Sequence, residues 1–216
     1  MEKTEENKRI VFVCTGNTCR SPMAEAVFSS EVRRRGLVGV QGYSAGISAR
    51  GDGQENINLK SATVLAENGY TVQNVQARKL DSETLKTAFA FVCMTDSQRD
   101  YLMELRWNVL RQEGIEVQEN NVYSFSELCG YEIPDPYGKD TDEYRKTFSL
   151  INAAMPPLFE KFFTEKTEEK PKKKRGRPRK NPVGDTGEKS PKKSPTKKSG
   201  AKTKKNPQTL ENREEL

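Results

Sequence analysis

The residues with the clearest chemistry lie together in the stretch Cys14–Pro22, where Cys14 and Arg20 are six positions apart across a loop of small side chains. Backbone N–H groups of such a loop can surround a phosphate, and the N-terminus of a following helix adds positive potential behind it. This potential and the nearby Arg20 favour the thiolate form of Cys14. A thiolate beneath a bound phosphate predicts covalent phosphoryl transfer through cysteine.

The alternative for this stretch is a buried structural cysteine, because a cysteine–arginine pair at this spacing also arises by chance. Here one short segment supplies an apolar strand, Ile10–Val13, then a glycine and two cysteines, and then Ser21-Pro22. Proline suits the first turn of a helix, where its missing N–H has no partner to lose. The coincidence of these features favours the phosphate-binding interpretation.

Acid–base chemistry in this chain must use side chains other than histidine, since the sequence contains none. That excludes Ser-His and Cys-His catalytic pairs and points to carboxylates. Asp135 stands between Pro134 and Pro136, which hold the backbone extended, and Gly138 allows a turn after it. An ordinary Asp-Pro turn is the alternative, but beside the Cys14 loop we predict a general acid.

The four cysteines form no CxxC pair and have no histidine to join them. This pattern does not suit a zinc site, nor does it suggest a disulfide framework in a chain of this length. We therefore predict that the reaction uses no metal and no other cofactor.

Alternating strands and helices are predicted to position these residues. The predicted strands span 10–14, 40–44, 88–94 and 122–125, and the predicted helices span 21–35, 58–68, 81–87, 96–112 and 141–163. This order predicts an α/β fold: a doubly wound, flavodoxin-like sheet of four parallel strands with helices on both faces. Ligands bind such sheets at the carboxyl ends of the strands, which is where the Cys14 loop lies.

Some finer features are also predicted. Ala45-Gly46 is expected to form a turn, Gly36 to end the first long helix, and Asp96 or Ser97 to cap the helix that follows the third strand. Pro156-Pro157 should interrupt or kink the last helix. The apolar face of the 58–68 helix is expected to consist of Leu59, Ala62, Leu65 and Ala66.

The stretch Val13–Pro22 and the later Asp135-Pro136-Tyr137 together resemble the motifs of the low-molecular-weight protein phosphatase family. The resemblance covers residues 9–164 and implies that Cys14 is the nucleophile, Arg20 the phosphate clamp and Asp135 the general acid. It further implies that Asn17 and Ser44 brace the phosphate-binding loop and that Thr18 and Tyr137 line the substrate pocket. The loop itself would consist of Thr15, Gly16, Asn17, Thr18, Cys19 and Ser21.

Two roles implied by the resemblance concern side chains close to the nucleophile. Ser21 would stabilise the thiolate. Cys19 would form a reversible disulfide with Cys14 under oxidation, a role that its proximity to a reactive thiolate also supports. A small buried side chain is the equal alternative for Cys19.

Members of this family act on phosphotyrosine, on phosphoarginine or, in a related branch, on arsenate. The arsenate branch carries further cysteines near the middle strand, where this chain has only Cys93 and position 100 is Asp. Phosphotyrosine members usually have an aliphatic residue at the position of Thr18, whereas protein-arginine phosphatases resemble this loop in full. A carboxylate such as Asp135 also suits the donors of a guanidinium. We predict a phosphoarginine phosphatase, with phosphotyrosine as the alternative substrate.

Charge is distributed unevenly along the 216 residues. Residues 1–164 carry 19 Lys and Arg against 23 Asp and Glu, while residues 165–216 carry 18 against 8, for the overall charge of +6. We predict a flexible N-terminus at 1–8, a phosphatase domain at 9–164 and a disordered Lys/Pro/Ser-rich tail at 165–216. The chain has no apolar run of membrane-spanning length, so we expect a cytoplasmic protein, with association with the nucleoid through its tail as a further expectation.

The tail contains a segment at 172–180 that resembles an AT-hook, with the core Arg175-Gly176-Arg177-Pro178. Such a core lays its arginines along the narrow minor groove of A·T-rich DNA. A solubilising polycation is the alternative. A protein of another class, a DNA-associated module with a degenerate phosphatase domain, would not need Cys14, Arg20 and Asp135 together. We therefore expect two partners, a phosphorylated protein substrate and A·T-rich DNA.

Overall fold

The structure of the protein is a computed structural model that describes residues 7–71, 76–116 and 120–164. The chain divides into the units Met1–Thr167 and Glu168–Leu216, and all described residues belong to the first. The predicted tail, including Arg175, Gly176, Arg177 and Pro178, lies outside the described residues. The predicted domain limits remain predictions.

Four parallel strands form the sheet at the centre of the fold. They are β1 (Lys8–Cys14), β2 (Val40–Gly46), β3 (Ala90–Cys93) and β4 (Val122–Ser124). The spatial order is β2-β1-β3-β4, so β1 and β3 are the interior strands. Their unbroken apolar sequences follow from this position, because both faces of an interior parallel strand are covered. The order and direction confirm the predicted doubly wound sheet.

Seven helices cover the sheet in the described part of the chain. Their bounds are α1 Arg20–Arg35, α2 Leu59–Glu67, α3 Ser82–Thr87, α4 Asp96–Gln112, α5 Phe125–Cys129, α6 Thr141–Ala153 and α7 Met155–Phe163. Alternate side chains of β1 enter two separate cores. Ile10 and Phe12 pack with α1, α2 and α5–α7, whereas Val11 and Val13 pack with α3 and α4. The helices therefore lie on both faces, as predicted.

The second strand is longer than predicted. Ala45-Gly46 forms its last two residues rather than a turn, and Gly46 pairs with Cys14 of β1. A Cβ on Gly46 would lie 2.8 Å from the carbonyl oxygen of Thr15. A glycine is thus needed where β2 approaches the loop after Cys14. Because glycine is also common in turns, the sequence at this point predicted a turn.

Several helix details differ from the predictions. The buried face of α2 consists of Ser61, Val64 and Leu65, while Leu59 in its first turn is 80% exposed. Thr95 caps α4 in place of Asp96 or Ser97, because its side chain accepts from the N–H of Gln98. The short helix α5 was not predicted.

The predictions for the end of α1 and for the interruption of the last helix are confirmed. Gly36 ends α1 in the left-handed conformation, with φ of 64°. The long C-terminal helix divides at Ala154 into α6 and α7, since Pro156-Pro157 occupy the first turn of α7. Within the described ranges, none of the helices has the length and apolarity needed to cross a membrane.

Candidate active site

The Cys14 thiol lies at the carboxyl end of β1, buried at the base of the following loop. The backbone N–H of Asn17 donates to its Sγ over 3.2 Å, and Ser21 Oγ lies 2.9 Å from the same sulfur. Ser21 Oγ already accepts from Asn17 Nδ2, so its single proton is free to point at the sulfur. Both contacts stabilise negative charge on Cys14.

Asn17 holds the loop in a conformation that few residues adopt. Its φ is +55°, and among the described residues it is the one non-glycine with positive φ. Its side-chain Nδ2 donates to Ser21 and Ser44, at 2.8 and 2.9 Å, and its Oδ1 accepts from the backbone N–H of Arg78 over 2.7 Å. Asparagine tolerates this region better than other side chains, and these bonds offset the remaining strain.

A partly buried ion pair lies behind Asn17. Ser44 Oγ donates to Glu25 Oε2 over 2.6 Å, and the Arg78 guanidinium bonds to the same oxygen and to Ser44. Burial raises the pKa of Glu25 above its ordinary value of 4.5, and the charge of Arg78 opposes that rise. Neither residue could be identified from the sequence, since Glu25 lies within a helix and no motif surrounds Arg78.

Arg20 begins α1 and is 4% exposed. One terminal nitrogen donates to Asp135 Oδ2 over 2.6 Å and the other to the carbonyl of Ile133 over 3.3 Å. Its Nε is buried and has no hydrogen-bond partner among the residues described. An anion in the loop would satisfy that donor, and the planar guanidinium suits bidentate binding of a phosphoryl group.

The structure brings the predicted general acid to the loop. Ile133 donates its N–H to the carbonyl of Met94, directly after β3, which fixes the segment that carries Asp135. Asp135 Oδ1 accepts from the backbone N–H of Tyr137, and the Asp135 side chain is 49% exposed. A turn follows in which Lys139 N–H donates to the carbonyl of Pro136 and Gly138 has φ of 78°.

These residues line one cleft of about 250 Å³. Its floor and sides are formed by Cys14, Thr15, Gly16, Thr18, Cys19 and Arg20, and its mouth by Glu55, Asp135 and Tyr137. Eight of these nine were predicted from the sequence. The exception, Glu55, lies in an irregular loop without a recognisable motif, so no signal in the sequence could have identified it. Asn17, Ser21 and Ser44 do not line the cleft but hold its floor from behind.

Thr18 and Cys19 connect the loop to the helices around it. The carbonyl of Thr18 accepts from the N–H of Asn58, the cap of α2. Cys19 Sγ lies 3.6 Å from Thr18 Oγ1 and 3.4 Å from the hydroxyl of Tyr144, whose pKa is raised by burial. Cys14 and Cys19 are both buried free thiols, and their disulfide remains a prediction.

Two further observations concern the surroundings of the cleft. Gln98 Nε2 donates to Thr15 Oγ1 over 3.1 Å, which ties α4 to the loop. Among the described residues, no three His, Cys, Asp or Glu side chains are grouped closely enough to hold a metal ion.

A doubly wound parallel sheet with a cysteine–arginine phosphate loop and an opposing aspartate defines the class of cysteine-dependent phosphatases with a small α/β domain. The family model described as low molecular weight phosphotyrosine protein phosphatase matches residues 9–170. The chain belongs to this family and is a cysteine-dependent low-molecular-weight phosphatase.

Individual relatives have different substrates in their names. Low molecular weight protein-tyrosine phosphatase A of Mycobacterium tuberculosis is 31% identical, over 69% of this chain and 88% of that protein. The protein-arginine-phosphatase of Geobacillus stearothermophilus is also 31% identical, over 73% of this chain and 97% of its own length. A solved mutant of the YwlE arginine phosphatase, with a phosphorylated active-site serine, superposes with a TM-score of 0.62 at 27% identity, over 73% and 97% of the two chains.

Proposed function

We propose that this phosphatase removes the phosphoryl group from phosphoarginine residues of proteins through a cysteinyl-phosphate intermediate. The observation that carries the proposal is the pair of carboxyl groups at the mouth of the cleft, which Asp135 and Glu55 supply around the position of the leaving group. A guanidinium carries positive charge and a fork of N–H donors, which the Glu55 carboxylate accepts together with the unprotonated oxygen of the Asp135 carboxyl.

The first step transfers the phosphoryl group to the enzyme. The loop N–H groups and Arg20 hold its oxygens, and the Cys14 thiolate attacks phosphorus. As the S–P bond forms and the P–N bond breaks, the protonated carboxyl of Asp135 gives its proton to the departing nitrogen. Arginine then leaves as a guanidinium.

The second step hydrolyses the intermediate. The Asp135 carboxylate, now without its proton, takes one from a water molecule whose oxygen attacks phosphorus. The S–P bond breaks, its electron pair returns to Cys14, and inorganic phosphate leaves. The Asn17 N–H and the Ser21 hydroxyl, which lie 3.2 and 2.9 Å from the sulfur, stabilise the returning thiolate.

Thr18 supports the choice of arginine over tyrosine. It lines the cleft with a methyl and a hydroxyl group, a smaller and more polar wall than an aliphatic residue gives to a phenyl ring. Overall identity does not distinguish the two substrates, because the tyrosine and arginine phosphatases named above are equally similar to this chain. The distinction therefore rests on the side chains of the cleft.

A substitution of Thr18 tests this assignment. In the full-length protein, Thr18→Ile should lower kcat/KM for a phosphoarginine peptide and raise it for the matching phosphotyrosine peptide, because the larger apolar wall favours a ring. Thr63→Ile, at an exposed position of α2 outside the cleft, is the matched control and should change neither value. A variant that loses activity equally on both peptides would contradict the role of Thr18.

We further propose that Cys19 protects the nucleophile from irreversible oxidation. Hydrogen peroxide would oxidise the Cys14 thiolate to a sulfenic acid, which condenses with the Cys19 thiol to a disulfide and releases water. Cys19→Ser should then lose the recovery of activity that dithiothreitol gives to the oxidised wild type. Equal recovery in both proteins would contradict the proposal.

The tail adds a proposed second function, binding of A·T-rich nucleic acid. The observation in its favour is the sequence Arg175-Gly176-Arg177-Pro178 within a strongly basic segment. The full-length protein should retard A·T-rich duplexes more than G·C-rich ones in a gel-shift experiment, with affinity that falls as salt rises. Substitution of Arg175 and Arg177 by Ala should remove the preference, and an unchanged preference would contradict this assignment.

A further inference from the structure

A second cleft, of about 400 Å³, lies between the second half of α1 and the first half of the edge strand β2. It shares no lining residue with the catalytic cleft. Three arginines, Arg9, Arg33 and Arg78, line it, and Glu25 is the only acid among its lining residues. This cleft is therefore a concave surface with an excess of positive charge.

Two of the three guanidinium groups lie against one aromatic ring, and two of the three have no acidic partner in the described ranges. The guanidinium carbons of Arg9 and Arg78 lie 5.5 and 3.9 Å from the centre of the Tyr43 ring, which fixes both groups at one point of the wall. Arg78 pairs with Glu25, whereas Arg9 and Arg33 form no ion pair with any acid in the described ranges. Two uncompensated charges remain in the cleft. Such an arrangement attracts anions, because clefts focus the field of like charges.

Arg78 also has an unused hydrogen-bond donor. Its Nε is buried and has no hydrogen-bond partner among the described residues. One terminal nitrogen of the same group bonds to Glu25 and Ser44. A guanidinium with one unused donor beside a second guanidinium matches the oxygen atoms of phosphate groups, which arginine binds through paired donors.

We propose that this cleft binds a small molecule that carries a diphosphate group and that the bound molecule slows catalysis. Two phosphate groups match the two uncompensated charges, and the volume leaves room for a nucleoside beside them. Inorganic pyrophosphate and nucleoside diphosphates share this chemistry.

The link to catalysis runs through Arg78. Its backbone N–H donates to Asn17 in the phosphate loop over 2.7 Å, and its guanidinium bonds to Ser44 and Glu25 behind that loop. A diphosphate that binds the guanidinium competes with these two partners and so weakens the support of Asn17. Because the ligand prefers the enzyme with the weakened support, it shifts the population toward a less active loop. The expected result is a lower kcat.

The test uses the full-length protein with p-nitrophenyl phosphate as substrate, so it does not depend on the choice of arginine over tyrosine. Pyrophosphate, ADP and AMP are compared without magnesium. Pyrophosphate and ADP should lower kcat in a saturable manner, and AMP should be at least tenfold weaker. An effect of ADP alone would support the site and identify the ligand as a nucleotide. Inhibition that only raises KM, or AMP as potent as ADP, would overturn the proposal.

Variants locate the effect in this cleft. Arg9→Gln and Arg33→Gln should each weaken the response to pyrophosphate by about tenfold, the loss expected for one charge-assisted bond, with each variant compared with its own rate without ligand. Arg34→Gln is the matched control, since Arg34 lies in the same turn of α1 but pairs with Glu31 outside the cleft. An unchanged response in both cleft variants would overturn the assignment.

Binding can be measured separately from inhibition. With vanadate filling the catalytic cleft, calorimetry should detect one pyrophosphate site in the wild type and weaker binding in Arg33→Gln, whose side chain is exposed and whose loss does not threaten the fold. If neither pyrophosphate nor ADP binds the wild type, the proposal is overturned. Binding without a change in kcat would overturn its coupling to Asn17.

Discussion

The floor and the mouth of the catalytic cleft are built in opposite ways. Cys14, Cys19 and Arg20 of the floor are buried, and each polar atom of the Asn17 side chain behind it has a hydrogen-bond partner. The mouth is exposed: the Asp135 side chain is 49% exposed and Tyr137 70%, and its charge is negative where that of the floor is positive. The floor suits the phosphoryl group of any ester or amidate, so discrimination between substrates falls to the mouth and to the Thr18 side chain on the wall of the cleft.

The largest effect should follow from a change in the floor. Cys14→Ser should lower kcat by at least about 10⁴-fold for phosphoarginine and phosphotyrosine peptides alike, the scale of losing a covalent nucleophile. Phosphate release from both peptides is the measurement. Cys129→Ser, which changes a free thiol outside the cleft, is the control and should retain full activity.

The second effect concerns the general acid. Asp135→Asn should lower kcat by about 10²- to 10⁴-fold on peptides, and less on p-nitrophenyl phosphate, whose leaving group needs little protonation. Single-turnover kinetics on both substrates measure the difference. The control is Glu132→Gln, a neighbouring carboxylate outside the cleft. Equal losses on the peptides and on the aryl phosphate would contradict the proton transfer.

The third effect separates the mouth from the floor. Glu55→Gln should lower kcat/KM for the phosphoarginine peptide by about tenfold, the loss of one charge-assisted bond, and leave the phosphotyrosine peptide unaffected. Asp52→Asn, in the same loop but outside the cleft, provides the control. A parallel loss on both peptides would mean that Glu55 contributes to the fold of the loop and not to selection.

The smallest effect is on the free energy of unfolding and concerns Glu25, which lies behind the floor of the cleft. Because burial raises the pKa of Glu25, its contribution to folding is complete below its ordinary pKa of 4.5 and is lost as pH rises through the raised value. Glu25→Gln stays neutral, so its free energy of unfolding should rise relative to that of the wild type as pH increases above 4.5. Urea unfolding over a series of pH values measures this difference.

Glu31, in the same helix, should show the opposite dependence of stability on pH. Hydrogen bonds from Arg34, with a further contribution from Arg35, lower the pKa of Glu31 to about 2. Its stabilising contribution is present above 4.5 and is lost as pH falls toward 2, so Glu31→Gln should be less stable than the wild type at neutral pH. The difference should be small, because exposed pairs are screened. The same pH trend in both variants would contradict the account of Glu25.

The sequence predicted the parts of the site that a local motif encodes. The placement of Cys14, Arg20 and Asp135 in one cleft could be predicted, because Cys14 ends a strand, Arg20 follows it across a short loop and Asp135 lies between prolines. Parallel strands bring such positions to one edge of the sheet. Glu55 and Arg78 could not, since they come from irregular segments whose approach to the cleft is decided by packing. Gly46 was predicted to lie in a turn and lies in a strand. It is a glycine because its backbone closely approaches Thr15, a contact that exists only in the folded chain.

The most direct test of the mouth as the selective part is the ratio of two specificity constants. The kcat/KM of the full-length wild type is measured on one peptide carrying either phosphoarginine or phosphotyrosine at the same position. The two carboxylates at the mouth predict a higher value for phosphoarginine, by at least about tenfold from a single charge-assisted bond. A higher value for phosphotyrosine would contradict the account.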